Sequence, residues 1–211
     1  MTRGPIALPG RTVIFDYGEV ITVTPSPADR AVIARVAGVE GEDEAKFWNS
    51  YAAHRGRLDQ GTGGGVRGYW ESIAADIGAD WDEARIYELW TADFRGWLSV
   101  EPGTIDVLSD LKAGGTRLAL LSNAGADFGG IMRHGPLREY FEAFFVSGEI
   151  GLIKPDPAIY SHALAGLGIA GSDAVFTDNK EENVRAAETL GITGHVFTSP
   201  EKLRAFLVSL A

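Results

Sequence analysis

A single stretch near the start of the chain, residues 12–20, constrains the fold more than any other. Its first four residues, Thr-Val-Ile-Phe, have high β-propensity and no polar alternation, which indicates a strand buried on both faces of a parallel sheet. The run ends at the carboxylate of Asp16, and a buried charge is costly unless something uses it. Ligands of open parallel sheets bind at the carboxyl ends of the strands, so Asp16 is a candidate catalytic group, although an Asp here is also common as a turn former or helix N-cap.

The rest of the chain predicts an α/β fold, a doubly wound parallel sheet with an inserted bundle of helices. From residue 101 onward, helical patterns alternate with strand-like runs at 117–121, 144–147, 174–177 and 195–197. Such alternation implies right-handed crossovers and a parallel, Rossmann-like sheet. Between about 28 and 94 the apolar residues recur only at helical spacing. We therefore predict a core domain of residues 1–22 and 97–211, and a small helical cap domain of residues 23–96.

Two segments, residues 61–68 and residues 1–10, are predicted to be loose stretches of chain. The glycine-rich residues 61–68 do not follow a strand and lack the Gly-Lys-Ser/Thr ending of a phosphate-binding loop, so we predict a flexible connector. Residues 1–10, polar and punctuated by Pro and Gly, are predicted to be a loose lead-in.

Composition excludes several classes of function. The net charge of −10 over 211 residues disfavours nucleic-acid and anionic-membrane binding, because both need a positive surface. The absence of cysteine excludes disulfides, thiolate metal sites and a cysteine nucleophile. No apolar run is long enough to span a bilayer and no signal peptide is recognisable, so we expect a cytoplasmic protein.

Polar side chains of complementary types follow four of the predicted strands: Asp16, Ser122, Asn123, Lys154, Asp178 and Asn179. Each alone has an ordinary explanation as a turn, an N-cap or a surface lysine, but in a parallel sheet all of them face one crevice. Asp oxygens and a backbone carbonyl suit Mg²⁺, and Asp can attack phosphorus to form an aspartyl-phosphate. Lysine and hydroxyl groups stabilise the charge of a phosphoryl group in transfer.

This layout resembles the haloacid dehalogenase-like (HAD) hydrolase superfamily, in the branch with a helical cap after the first motif. Residues 15–20, 121–123, 153–155 and 176–183 are similar to its four motifs. The resemblance implies that Asp16 is the nucleophile and that Lys154 assists it. It also implies a set of Mg²⁺ ligands, Asp16, the Gly18 carbonyl, Asp178 and Asn179, and a set of phosphate-binding residues, Gly18, Ser122, Asn123 and Lys154.

The chain departs from the family pattern at two positions. Most family phosphatases carry a general acid two residues after the nucleophile, where this chain has Gly18, as do some similar sugar-1-phosphate phosphatases. This favours a leaving group that needs little protonation, or an acid from water, from the cap or from Glu19. The second acid of the fourth motif is replaced by Asn179, from which we expect weaker Mg²⁺ binding.

The function that the sequence favours is a magnesium-dependent phosphatase of a small phosphorylated metabolite such as a sugar phosphate. Its partner would be a small-molecule phosphate ester, and the chain could be a monomer or a homodimer. One alternative is a metal-free 2-haloacid dehalogenase, although those enzymes resemble this chain less around Gly18, where Tyr would be expected, and Asp178 suggests a metal. The other is a catalytically weak binding or regulatory protein. The sequence leaves open the substrate and the cap residues that contact it.

Overall fold

The structure, a computed structural model, describes residues 4–211 and contains a five-stranded parallel sheet. The strands are β1 (Thr12–Phe15), β2 (Arg117–Ser122), β3 (Ala143–Val146), β4 (Ala174–Asp178) and β5 (Thr193–Val196). Their order is β3-β2-β1-β4-β5, so the chain passes from β1 to β2 and β3 on one side and then adds β4 and β5 on the other side of β1. The predicted doubly wound α/β fold is confirmed, and the point where the strand order reverses lies between β1 and β4.

Strand β1 is the centre of the sheet and is buried on both faces, as its uninterrupted apolar sequence predicts. Thr12 lies opposite Arg117 of β2 and Ala174 of β4, and the register continues in step to Phe15. Because side chains alternate along a strand, Phe15 points into one layer of the core and Ile14 into the other.

Ten helices accompany the sheet in the described part of the chain. They are α1 (Pro27–Ala37), α2 (Glu42–Asp59), α3 (Gly65–Ile77), α4 (Glu83–Gly96), α5 (Pro102–Ala113), α6 (Ala126–His134), α7 (Ser147–Ile150), α8 (Pro157–Leu167), α9 (Glu181–Glu188) and α10 (Pro200–Ser209). Helices α5, α6 and α10 pack on the Phe15 side of the sheet, and α8 and α9 on the Ile14 side. None of the helices in residues 4–211 combines the length and apolar character needed to cross a bilayer.

Helices α1 to α4 follow β1 directly and form the helical insertion, with an apolar core of their own around Phe47, Trp70 and Leu89. The chain enters and leaves the insertion through two segments that pair with each other. Thr22 forms an antiparallel bridge with Val100, and the amide of Glu101 donates to the carbonyl of Ile21 at 2.8 Å. The sheet and the insertion are therefore joined by two adjacent connections. The domain boundaries at 22/23 and 96/97 stay a prediction.

The structure differs from the sequence predictions at two segments. Part of the glycine-rich run is helical, since α3 begins at Gly65, and Gly61 lies directly against the backbone of Gly148. The described part of the predicted loose lead-in is also fixed, because Ile6 and Leu8 are buried in the core and the hydroxyl of Thr116 binds the backbone of both. Residues 1–3 of that prediction lie outside the described residues.

Candidate active site

Asp16 lies one residue beyond β1, at the reversal point of the sheet. Its backbone amide donates to the carbonyl of Thr177 at 2.9 Å, which continues the β1–β4 ladder past the last strand residue. The carboxylate is buried and its Oδ1 lies 2.7 Å from the Nζ of Lys154. The strand and its ladder thus deliver the carboxylate to the carboxyl edge of the sheet, where the sequence predicts it.

Lys154 is a buried cation that joins two carboxylates. Its Nζ lies 2.7 Å from Asp16 and 2.7 Å from the Oδ2 of Asp178, and it donates to the carbonyl of Leu121 at 3.0 Å. The ammonium has three donors, and these three oxygens use all of them. Lys154 therefore ties the ends of β1, β2 and β4 together.

Asp178, the last residue of β4, is fully buried and is surrounded by donors. Its Oδ2 accepts from Lys154 and from the side-chain amide of Asn183 at 3.0 Å, and its Oδ1 accepts from the backbone amide of Lys180 at 2.8 Å. A buried carboxylate is tolerated where charged and neutral donors of this kind satisfy it.

Burial and charge act against each other in this triad. Burial raises the pKa of Asp16 to about 6, the Lys154 charge lowers it, and the Asp178 charge raises it. Burial by itself would lower the pKa of Lys154, but the two carboxylates outweigh it and raise that pKa. At neutral pH we therefore expect an ionised Asp16 beside a charged lysine, which is the state of a carboxylate nucleophile.

Ser122 and Asn123 follow one another at the end of β2 but have different environments. The hydroxyl of Ser122 has no hydrogen-bond partner among residues 4–211, and Ser122 lines the same cavity as Asp16. The side chain of Asn123 instead holds the backbone of Lys154, since its Nδ2 donates to the carbonyl at 2.9 Å and its Oδ1 accepts from the amide at 2.9 Å. Asn123 therefore positions Lys154, while its predicted phosphate-binding role stays a prediction.

Gly18 lies beneath an aromatic ring that the sequence analysis did not single out. A Cβ atom built on Gly18 would lie 3.4 Å from Cζ3 of Trp97. The ring is therefore in ordinary van der Waals contact with the position of such a Cβ, so Trp97 would border a longer side chain at position 18.

Asn179 is paired with Glu19, a contact that the sequence did not predict. The Nδ2 of Asn179 donates to Oε2 of Glu19 at 2.6 Å, and the hydroxyl of Thr24 donates to Oε1 at 2.7 Å. Glu19 is the one described residue other than glycine with a positive φ, at 60°. The negative charge missing from position 179 is thus present on an adjacent side chain, while the predicted role of Asn179 as a metal ligand stays a prediction.

The helical insertion contributes two charged residues to the site, and sequence reasoning missed both. Arg55 and Asp59 lie one turn apart on α2 and form an ion pair of 3.1 Å. Arg55 also binds Asp93 of α4 at 3.1 Å. Their i, i+4 spacing is typical of an ordinary surface pair, so no signal in the sequence distinguishes them from the other pairs on these helices.

These groups enclose a cavity of about 220 Å³. Its walls come from the strand ends and from the insertion, with charges of both signs: Asp16, Glu19, Arg55, Asp59, Lys154 and Lys180. The volume is below the ~300–1,000 Å³ of common ligand pockets, so the cavity suits a small polar molecule.

The donor set is compatible with a magnesium ion. Asp16 and Asp178 together carry one more negative charge than Lys154 neutralises, and both are hard oxygen donors. Residues 4–211 contain no group of three His, Cys, Asp or Glu side chains arranged to hold a metal. A site here would therefore rest on two carboxylates, a carbonyl and water, the type of coordination common for Mg²⁺.

Comparison with known proteins gives a family match over most of the chain. A family model described as haloacid dehalogenase-like hydrolase matches residues 11–191. The matched segment includes all of the residues that the structure brings together at the cavity.

Three curated relatives illustrate the range of similarity. A sesquiterpene phosphatase of Aspergillus oryzae is 26% identical over 188 residues, which covers 87% of this chain and 88% of that protein. A phosphoserine phosphatase of Thermus thermophilus is 34% identical over 87 residues, 40% of this chain and only 35% of that protein. An (S)-2-haloacid dehalogenase of Pseudomonas is 32% identical over 95 residues.

Solved structures agree in fold. A HAD-family enzyme of Bacteroides thetaiotaomicron superposes with a TM-score of 0.73 at 17% identity, covering 93% of this chain and 97% of that one. The same enzyme in complex with magnesium and inorganic phosphate gives a TM-score of 0.67 at 19% identity, covering 89% and 94%.

Proposed function

The chain belongs to the haloacid dehalogenase-like hydrolases, and we propose that it is a magnesium-dependent phosphatase of small phosphate esters, with a sugar phosphate as the favoured substrate. The observation that supports this most is the buried ammonium of Lys154, held 2.7 Å from both Asp16 and Asp178 at the wall of a small cavity. It supports the proposal because a carboxylate that could act as nucleophile, a fixed positive charge and a second carboxylate lie within hydrogen-bond distance of one another.

In the proposed reaction, a carboxylate oxygen of Asp16 attacks the phosphorus of the ester. The bond from phosphorus to the ester oxygen breaks, and the alcohol leaves after taking up a proton. Water then attacks the phosphorus of the aspartyl-phosphate, which breaks the bond to Asp16 and releases inorganic phosphate. Lys154 and the free hydroxyl of Ser122 stabilise the negative charge that the phosphoryl oxygens carry during both steps.

Asp16, Asp178 and the carbonyl of Gly18 would hold the magnesium ion, with water completing its shell. When bound, the ion supplies positive charge to the phosphoryl oxygens. The Bacteroides enzyme of the same fold in complex with magnesium and inorganic phosphate supports the presence of a magnesium ion, though not the choice of its ligands. Because Asn179 brings no charge of its own, we expect weaker binding than in a site with two acids after β4.

The substrate class is inferred from the cavity. Its small volume and its charged walls favour a short, hydroxylated or charged ester over a long apolar one. The relatives are named for chemically different phosphates, so sequence identity to any one of them does not show which phosphate ester this chain uses.

The test is phosphate release from p-nitrophenyl phosphate, acetyl phosphate and a panel of sugar phosphates, with phosphoserine, phosphoglycolate and a sesquiterpenyl phosphate included. Each is measured with Mg²⁺ and with EDTA, on the wild type and on Asp16→Asn. We expect release that needs both Mg²⁺ and Asp16. No release from any ester by a folded wild-type protein would refute the phosphatase and favour a binding function.

The similarity to a haloacid dehalogenase calls for one additional assay. Chloride release from 2-chloropropionate is measured under the same conditions. Chloride release that persists in EDTA, without phosphate release from any ester, would replace the phosphatase with the dehalogenase.

A further inference from the structure

The leaving alcohol of the proposed reaction needs a proton, and the residues two and three positions after the nucleophile are poorly suited to give it. Gly18 has no side chain. Glu19 has a carboxylate, but its two oxygens already accept hydrogen bonds from Thr24 at 2.7 Å and from Asn179 at 2.6 Å. These two donors hold the Glu19 carboxylate in place, so it could turn towards a substrate only by giving up one of the two hydrogen bonds.

Asp59 of the helical insertion has the free oxygen that Glu19 lacks. Its Oδ1 accepts from the Nε of Arg55 at 3.1 Å, while its Oδ2 has no hydrogen-bond partner among the described residues. The side chain is 13% exposed, and it lines the cavity that contains Asp16 and Gly18.

The end of α2 is fixed by three contacts to α7 and to the residue that precedes α6. The hydroxyl of Ser147 donates to the carbonyl of Asp59 itself. Leu58 packs against Gly125, within 3.3 Å of where a Cβ on that glycine would lie. Gly61 approaches Gly148 so closely that a Cβ added to Gly61 would lie 2.3 Å from the carbonyl oxygen of Gly148. Asp59 is therefore held at the junction of the two units and not on a free helix end.

From this geometry we propose that Asp59 is the general acid and base of the reaction, an inference that rests on the proposed phosphatase function. As the bond from phosphorus to the ester oxygen breaks, the Asp59 carboxyl group gives its proton to that oxygen and the alcohol leaves neutral. The Asp59 carboxylate then takes a proton from the water that attacks the aspartyl-phosphate. Inorganic phosphate leaves, and Asp16 and Asp59 return to their starting states.

The surroundings of Asp59 are suited to this exchange. Burial is the main cause that raises the pKa of Asp59 to about 6. The positive charges of Arg55 and Lys180 lower this pKa, and the carboxylate of Asp93 raises it. The remaining charged groups in the cavity wall are Asp16, Glu19 and Lys154. A general acid is most effective when its pKa lies near the working pH, because it must both hold and release a proton.

The test compares phenyl phosphate with p-nitrophenyl phosphate, which are similar in shape but differ in how much the leaving group needs protonation. We expect Asp59→Asn to lower kcat/KM for phenyl phosphate by about 100-fold, since positioned acids contribute at least that much. For p-nitrophenyl phosphate and acetyl phosphate, kcat/KM of the same preparation should stay close to the wild-type value, because it reports only the steps up to loss of the leaving group, and this also shows that the variant is folded.

Asp93→Asn is the matched control, because Asp93 binds the same arginine but is not among the residues that line the cavity. Because Asp93 raises the pKa of Asp59, we expect Asp93→Asn to change the rates of the two aryl esters by slightly different factors, with a difference far below that in Asp59→Asn. Equal losses for the two esters in Asp59→Asn, no loss, or the same leaving-group selectivity in Asp93→Asn would each overturn the role of Asp59. Wild-type protein that hydrolyses none of the three phosphate compounds would instead refute the phosphatase itself and this inference with it.

Discussion

The pair formed by Glu19 and Asn179 shows how the residue type at one position depends on the side chain that it contacts. A positive φ costs a residue other than glycine roughly 1–2 kcal/mol, and at Glu19 the hydrogen bonds to Asn179 and Thr24 offset that cost. The amide of Asn179 is a donor, which an aspartate would not be at neutral pH.

We therefore predict that Asn179→Asp, which restores the acid of the family motif, destabilises this protein. It would place two carboxylates where an amide now donates across 2.6 Å, at an expected cost of about 1–3 kcal/mol in free energy of unfolding. Urea denaturation at pH 7 measures the change.

The control is a double-mutant cycle with Glu19→Gln, in which the neutral amide can donate to the new aspartate. Glu19→Gln should recover most of the loss in the Asn179→Asp background. A double variant no more stable than Asn179→Asp alone would show that charge repulsion is not the cause.

Asp59 supports a second prediction at this scale, on stability and pH. Its pKa is raised on folding from 3.8 to about 6, so the folded state binds the proton more tightly than the unfolded state. The associated stability is present below the unfolded pKa and is lost as the pH rises through about 6. Asp59→Asn should therefore stabilise the protein above pH 7, by up to about 3 kcal/mol, and have much less effect at pH 4.

Thermal unfolding of the wild type and of Asp59→Asn between pH 4 and pH 8 measures the difference in stability. A gain in Tm that grows with pH is expected, combined with the loss of activity on phenyl phosphate described above. A Tm difference that does not depend on pH would contradict the raised pKa.

The residues of the site differ in how far the sequence could predict them. Asp16 and Asp178 follow strands that are recognisable from their apolar runs, and a parallel sheet necessarily brings such strand ends together. Arg55, Asp59 and Trp97 reach the cavity only because of the angle at which the insertion meets the sheet. That angle depends on packing between distant segments, which local patterns do not encode.

At the scale of elements, the end of α2 is the part of the insertion that determines what the cavity contains. Gly61 has a φ of 74° and lies against Gly148, whereas Gly65 has a φ of 64° with no atom within 4 Å of an added Cβ. The two glycines share a backbone conformation, but only Gly61 contacts the core.

We predict that Gly61→Ala lowers both stability and kcat/KM, while Gly65→Ala lowers stability alone. Gly65→Ala should cost about 1–2 kcal/mol because alanine disfavours a left-handed backbone. Gly61→Ala should cost more, because its Cβ would also lie 2.3 Å from the carbonyl oxygen of Gly148, and it should move Asp59 away from the strand ends. Urea denaturation and phenyl phosphate hydrolysis measure the two effects. Equal kcat/KM for the two variants would contradict a role of this contact in forming the site.

The strands and the long helices were predictable because their apolar spacing is regular, as in the stripe of α3 that contains Trp70, Ile73 and Ala74. The packing of Ile6 and Leu8 was not, since the segment is short and lacks a period. Its order depends on Thr116, more than 100 residues away in the chain, whose hydroxyl binds the backbone of both residues.

Considering the whole molecule, Lys154 connects chain segments that are far apart in sequence. It binds the carboxylates that follow β1 and end β4, and the carbonyl of Leu121 within β2, so the three central strands share one buried cation. Removal of one partner from a buried ion pair is far more costly than the pair is worth, because an uncompensated charge stays behind.

We predict that Lys154→Met destabilises the protein by about 3–5 kcal/mol at neutral pH in the absence of divalent ions, because two buried carboxylates then face each other. Mg²⁺ should stabilise the variant more than the wild type, since an ion that binds the folded state alone raises its stability by mass action, and here it would replace the missing cation.

Lys112→Met is the control, because Lys112 is exposed and lies 3.7 Å from its partner Glu139, an arrangement worth at most about 1 kcal/mol. Thermal unfolding of the three proteins in EDTA and in millimolar Mg²⁺ distinguishes these cases. A Lys154→Met protein that is as stable as Lys112→Met in EDTA would show that the triad does not hold the sheet together, and one that Mg²⁺ leaves unchanged would argue against a metal between Asp16 and Asp178.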